Sequence, residues 1–289
     1  MQHGNKSRRL LEMKRSIINI CIILLILAIP LINLAVAQIQ DNLSPKDKIE
    51  ENYKKLNSKD FTERREGAYF FSKLKKGEIP EMVFKSTVQL FKEELGREKI
   101  KEDFFKRGGI ADKLPTDIAY LNSEAYIMYQ GYLCNIMGKS GDKTLLPLLV
   151  QHCLEARVLN NFGEAAVEPV LNVLETVNNP GQKMSAIFVL TEMLKMKDEG
   201  YTPRGKTRRN IIDALVKALK DSNRYVRLVS VKALGESQDK DVIPIVDDVA
   251  KNDAYFYEKK DENTGNIEKI YPVRMKAKEV LENLKKTNK

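Results

Sequence analysis

The stretch Asp221-Ser222-Asn223-Arg224-Tyr225-Val226-Arg227-Leu228-Val229-Ser230-Val231-Lys232-Ala233-Leu234-Gly235-Glu236 decides how the rest of the chain is read. At helical spacing Val226, Val229 or Ser230, Ala233 and Leu234 fall on one face, and the small Ser230 and Ala233 let a neighbour come close. Asp221 and Ser222 stand ahead of it as N-cap candidates, and Gly235 sits near its end. A helix this short and only half apolar is not stable alone in water, so it requires partner helices.

The chain supplies them by repeating the unit. The run Ile136-Met137-Gly138-Lys139-Ser140-Gly141-Asp142-Lys143-Thr144-Leu145-Leu146-Pro147 matches Ala233-Leu234-Gly235-Glu236-Ser237-Gln238-Asp239-Lys240-Asp241-Val242-Ile243-Pro244 without a gap at its apolar, Gly, Asp, Lys and Pro positions. Phe162-Gly163 leads into Ala166 to Leu171, with the linking turn three residues shorter. Gln182 to Leu190 and Val273 to Leu281 repeat the opening helix, the second in phase with Val226-Arg227 and the later Ala and Leu positions. Ile211 to Leu219 and Val242 to Val249 supply the first helices of their pairs.

The residues Asp221, Val226-Arg227, Ala233-Leu234-Gly235, Asp239 and Pro244, echoed by Val273-Arg274 and Pro147, resemble the HEAT repeat family and the kindred short HEAT-like repeats. The resemblance covers about Leu133 to Lys286; from Ser44 to Asp117 helical pairs fit but the Val-Arg signature is missing. It implies an all-α chain built as an α-solenoid of about six helix pairs. It also implies that Asp221 and Arg227 are structural. Pro suits the first turn of the first helix, where its missing N–H costs nothing. The Asp before the second helix can cap it, and Arg227 and Arg274 can reach carbonyl or carboxylate groups in the turns between units.

Upstream, Ser44-Pro45-Lys46-Asp47 opens a helix that runs to about Leu56. A second is expected from about Phe61 to Lys75, burying Gly67, Phe70, Phe71 and Leu74, and a third from about Pro80 to Leu95. Gly96 to Asp117 is charged, carries Gly108-Gly109 and Pro115, and reads as an insertion with at most a short helix. A helix over about Leu121 to Gly138 follows. Tyr201 to Lys206 is a basic, turn-rich link before a helix over Thr207 to Lys220. Ala254 to Tyr271 splits the last unit with a short β-hairpin around Asn263-Thr264-Gly265-Asn266. That hairpin either caps the end of the stack or forms an aromatic finger in which Tyr255 and Tyr257 anchor a partner.

The N-terminus reads as an export signal. Lys6, Arg8, Arg9, Lys14 and Arg15 precede an apolar run from Ile17 to Ala37, which closes on Ala35-Val36-Ala37. The alternative is an uncleaved anchor, since about 20 apolar residues span a bilayer; Asn19, Pro30 and Asn33 weaken a span. In both cases the basic head stays in the cytoplasm and residues 38–289 lie outside it, periplasmic or extracellular. Without the five basic and one acidic residues of the leader, the net charge falls from +9 to +5. So small an excess on a mixed surface argues against a nucleic-acid partner. An exporting compartment permits a disulfide between Cys134 and Cys153, whose alternative is two small core side chains.

Chemistry-bearing motifs are scarce. The one histidine after the leader, His152, adjoins Cys153 rather than facing it, too few ligands for zinc or a nucleophile pair. There is no glycine-rich phosphate loop and no Gly-x-Ser-x-Gly elbow. Glu164 and Glu168 share a helix face as ordinary first-turn acids. No catalytic residue, cofactor or metal is therefore expected. The expected function is a non-enzymatic binding module or scaffold whose second helices line a binding face. Leu228, Val231 and Lys232, with Met275, Lys276 and Lys278, are placed there, suiting an acidic or extended peptide; the membrane enters only through an uncleaved N-terminal segment. The resemblance also implies an alternative, an accessory or lyase-like assembly factor for a cofactor-bearing protein. HEAT-like DNA glycosylases fit poorly, given the leader and the lack of Trp. N-terminal sequencing of the protein from the envelope fraction is expected to begin at Gln38; an intact N-terminus in the membrane fraction would replace the signal with an anchor.

Overall fold

A computed structural model describes residues 43–195, 202–260 and 266–286. The leader, Tyr201 and the turn residues 263–265 lie outside the described residues. The chain is mostly helical with one two-stranded hairpin among the described residues. It divides into two compact units, Met1–Gly67 and Ala68–Lys289, with the boundary inside a helix.

The first unit contains α1 (Pro45–Leu56) and the start of α2 (Phe61–Lys73). Ser44 caps α1, its Oγ accepting from the Asp47 N–H at 3.2 Å, and Pro45 takes the first helical position. α1 and α2 meet at Gly67, where a Cβ would stand 2.4 Å from the Leu56 nitrogen, so no side chain fits.

In the second unit, Phe71 and Ser72 of α2 are buried, while Leu74 beyond it is half-buried. α3 (Glu81–Lys106) is one long helix and corrects the expected stop at Leu95. Gly96 reads as a break, yet it meets nothing within 4 Å and sits in a run of helix-favouring Glu, Lys and Arg. The helix ends at Arg107, before Gly108 at φ 83°. The segment 111–122 contributes only short 3-10 turns.

Then come α4 (Glu124–Ser140), α5 (Leu146–His152), α6 (Ala156–Leu159), α7 (Val167–Thr176), α8 (Pro180–Lys195), α9 (Gly205–Ala218), α10 (Arg224–Ser237) and α11 (Ile243–Asn252). β1 (Tyr257–Lys260), β2 (Ile267–Ile270) and α12 (Pro272–Lys286) complete the described chain. α5, α7 and α9 pack on one another in succession, and so do α4, α6, α8, α10 and α12. Each of α5, α7, α9 and α11 also packs on the helix that follows it. Cys134 of α4 and Cys153 after α5 are joined by a disulfide, with Sγ–Sγ 2.02 Å.

Two features set the spacing of the second run of helices. Gly138 and Gly235 occupy matching repeat positions and mark close approaches. A Cβ at Gly138 would meet Val158 Cγ1 at 2.9 Å, and one at Gly235 would meet Val280 Cγ1 at 2.7 Å. Gly235 is thus a packing residue rather than a helix stop; α10 ends at Gln238, in the left-handed region at φ 53°.

The second feature is a ladder of charges. Lys183, early in α8, donates to the Asp221 carboxylate after α9 at 2.6 Å. Arg227, at the matching position of α10, forks onto Asp253 after α11, with Nε–Oδ2 2.7 Å and Nη2–Oδ1 3.2 Å. Its Nη1 also donates to the Asp221 carbonyl at 2.9 Å, and Arg274 donates to the Asp253 carbonyl at 2.6 Å. Burial pushes the Asp221 carboxyl up, but Lys183, the Asn223 N–H and Arg227 more than offset it and hold it below the ordinary aspartate range. Asp221 is not the cap of α10. That role belongs to Asn223, whose Oδ1 accepts from the Tyr225 and Val226 N–H groups, because Asp221 lies two residues too early and accepts from Asn223 instead. Replacing Gly235 by Ala should lower stability by about 1–3 kcal/mol through overpacking, although Ala favours a helix by about 1 kcal/mol. Urea unfolding checks this, and an unchanged or raised midpoint would show that Val280 yields freely.

Candidate functional site

A helix packed on both flanks buries a wider arc than a single stripe, and this decides where the expected binding residues lie. α10 has α8 on one side and α12 on the other. Val231 is accordingly 0% exposed, as are its repeat equivalent Ile187 and, nearly so, Cys134. Val231 therefore cannot line an open face, which corrects its expected place there. Leu228 is half-buried and Lys232 is exposed, 3.6 Å from Glu236 in an i,i+4 pair. Met275 is 59% exposed. Lys276 is half-buried and paired with Glu279 at 2.5 Å, while Lys278 is exposed.

The outward arc of these helices repeats a pattern. Met184 of α8, Leu228 of α10 and Met275 of α12 occupy one repeat position, and Met128 of α4 and Tyr225 of α10 another. Met128, Tyr225 and Met275 are exposed, Tyr225 by 52%, and Met184 and Leu228 are half-buried. Phe188 of α8, 51% exposed, stands where α10 carries Lys232. The result is an outward stripe in which large apolar side chains recur helix by helix. Sequence reasoning placed Leu228 and Met275 on it but missed Met128, Met184, Phe188 and Tyr225. Carrying the repeat alignment out from the recurring core positions of Ala233 and Leu234 to their outward neighbours finds them.

The stripe has one irregularity. α6, between α4 and α8, is only four residues long and spans about 6 Å. Its slot is left partly open as a cleft of about 510 Å³, floored by Leu154, Ala156 and Val189 and edged by Phe188, Ser185 and Arg157. Arg157 pairs with Glu155 at 2.6 Å and Glu192 with Lys195 at 2.9 Å, so the charges at this edge are met internally.

The hairpin lies between α11 and α12 in sequence, and its base meets the N-terminal end of α10 through Arg224 and Tyr255. Tyr257 pairs with Ile270, Glu258 with Lys269, Lys259 with Glu268 and Lys260 with Ile267. Both faces of the strands are exposed apart from Ile270, so the strands themselves cover no core. Its base is aromatic and cationic. Arg224 lies 4.5 Å from the Tyr225 ring centroid and 4.4 Å from that of Tyr255. Phe256 and Tyr271 are 5.5 Å apart, with Lys269 over the first at 4.4 Å and Arg274 over the second at 4.2 Å. Tyr255 is half-buried in this cluster and Tyr257 is exposed beyond it.

A buried polar cluster was not anticipated. Glu94, 0% exposed, receives Arg97 at 2.8 Å and the Tyr120 hydroxyl at 2.6 Å, while Gln130 donates to Glu98 and to the Tyr126 oxygen, both at 2.9 Å. Burial first, then Glu98 and Glu94, pushes the Tyr126 hydroxyl well above its ordinary value. The cluster ties segment 118–122 to α3. His152 is a surface residue whose ring meets Phe91 edge-on at 6.1 Å, and loss of solvent lowers its imidazole, with Glu98 opposing. Glu164 accepts from the Thr207 hydroxyl at 2.6 Å and is a link between helices. Among the described residues no group of three or more His, Cys, Asp or Glu could hold a metal, and no helix is long and apolar enough to cross a membrane.

The chain matches no protein-family model and no curated protein. Val231→Ala should cost about 1–3 kcal/mol, and Met275→Ala should stay within about 0.5 kcal/mol, as measured by chemical unfolding. Equal losses at the two positions would refute this division between core and outward stripe.

Proposed function

We propose that the chain is an exported, non-enzymatic binding module, an α-solenoid of HEAT-like helix pairs that presents its second helices to a protein or peptide partner. The observation that carries this reading is the recurrence of large apolar side chains, exposed or half-buried, at matching repeat positions, Met184, Leu228 and Met275 in one row and Met128 and Tyr225 in another. Scattered surface apolar residues are ordinary, but a row in register across successive units is a docking pattern. The succession of packed helices and the spacing glycines support the solenoid.

Geometry favours an extended partner. Packed helices lie about 8–10 Å apart, and an extended chain advances about 3.3 Å per residue. A partner with an apolar side chain at every third residue would therefore meet one helix after another. Methionine suits such a role because its flexible thioether adapts to different shapes. The cleft beside α6 gives the row one deeper position, at Phe188, for a larger side chain.

The test places a photo-crosslinking residue at Met184, at Phe188 or at Lys217, an exposed residue of α9. A partner should be captured from the first two positions and not from the third. Capture from Lys217 alone, or with equal yield from all three, would move the binding face elsewhere.

A further inference from the structure

Several exposed cations on the helices are met by carboxylates. Lys195 is shared by Glu192 and Glu236, Lys217 faces Glu175, Arg209 faces Asp241, and Lys251 pairs with Asp247. The base of the hairpin differs. Arg224, Lys269 and Arg274 each rest on aromatic faces, and among the described residues none has a carboxylate within 4.0 Å. Of the nearby acids, Asp253 is forked by Arg227 and Asp221 is held by Lys183, while Glu258, opposite Lys269 in the hairpin, and Glu268 stand more than 4.0 Å from these three cations. Arg224 is the most constrained of the three. Its guanidinium lies between the Tyr225 and Tyr255 rings and donates to the Tyr225 hydroxyl at 2.7 Å. Arg274 is fixed by its bond to the Asp253 carbonyl at 2.6 Å.

Stacking on an aromatic ring positions a cation without cancelling its charge. Side-chain freedom is lost before a ligand arrives, so little more is lost on binding, while the positive field stays open to a carboxylate. We infer that the hairpin base, through Arg224, Lys269 and Arg274, captures an acidic, extended segment of a protein partner. Tyr225 belongs both to this cluster and to the outward stripe, so the two surfaces are continuous. The segment that fits has a run of Asp and Glu followed by apolar residues, the acids at the hairpin and the apolar side chains along α10 and α8. A nucleic acid is disfavoured, because three cations are too few for a phosphate-backbone footprint. The inference rests on the binding-module reading, yet it has its own failure mode.

The experiment uses the purified full chain and a short labelled peptide in which a run of Asp and Glu precedes Leu-Ser-Ser-Leu, with a control peptide carrying the corresponding amides. By fluorescence anisotropy the acidic peptide should bind about tenfold tighter than its amide form and weaken with added salt. Arg224→Gln combined with Lys269→Gln, neither of which belongs to the ladder, should weaken the acidic peptide by about tenfold while lowering the thermal midpoint only slightly, through loss of the surface stacks. Arg224→Lys keeps the charge and loses the planar stack, and should fall in between. The inference is overturned if the acidic peptide does not bind, if it binds no better than the amide form, or if the double variant binds it like the parent. It is also overturned if phosphatidylglycerol vesicles or duplex DNA of equal total charge displace it more readily than unlabelled peptide does. A Met184→Asp, Phe188→Asp variant separates the two readings. If it abolishes both peptides while the Arg224 and Lys269 changes do nothing, the stripe stands and the acidic capture falls. The opposite pattern leaves acidic capture standing and removes the stripe.

Discussion

Close approach at two glycines sets how near the second helices come at two points of their run, α4 on α6 and α10 on α12. At Gly138 and Gly235 the next element comes so near that only a hydrogen fits. Once α10 and α12 are drawn together at Gly235, Arg227 is within reach of Asp253, and Arg274 of the carbonyl of the same residue. The buried fork then fixes one register, since an unpaired Arg227 or Asp253 would be left partly desolvated. Apolar packing supplies the drive, and the glycines and the ladder choose where it stops. α8 follows the same plan without a glycine: Thr191 stands at that position, turned inward onto its own helix with its hydroxyl on the Ile187 carbonyl at 2.6 Å.

Much of this was open to reading from the sequence, and the failures have local causes. The gapless match between residues 136–147 and 233–244 exposed the repeated helix pair because it preserves small, turn-forming and Pro positions together. Gly235 is ambiguous in sequence because a glycine near a helix end has the same signature whether it stops the helix or admits a neighbour. Asp221 and Asn223 are both good caps by type, and only backbone geometry says which one reaches the first free N–H groups. Gly96 was overweighted against a long run of favourable helix formers. Val231 was misplaced because an isolated amphipathic helix has one wet side, whereas a helix held on both flanks keeps only a narrow outward arc.

The surface divides along the same lines. Residues facing the next unit are mainly apolar or form fixed polar links such as the ladder, and those facing outward vary between Met, Leu, Tyr, Phe and Lys from unit to unit. That variation is what a binding face built on a repeated scaffold requires: constant inner chemistry and changing outer chemistry. The shortened α6 extends the principle, since removing most of one helix leaves the neighbours in place and opens a cleft between them. The hairpin adds strands where the neighbouring units have turns, and its aromatic base is fastened to α10 through the Arg224 stack.

The outward stripe also has a chemical vulnerability. Met128 and Met275 hold their sulfur atoms at the surface, and Met184 is partly open, whereas Met137 and Met193 are 0% exposed. An oxidant in the surroundings reaches the outer thioethers first and converts them to sulfoxides, which are polar and no longer pack as hydrocarbon. Met137 and Met193 stay dry in the core, and the repeats around them would stay folded through that change. Damage, and its repair by a reductase, would thus be registered on the proposed contact face while the repeats beneath it remained intact.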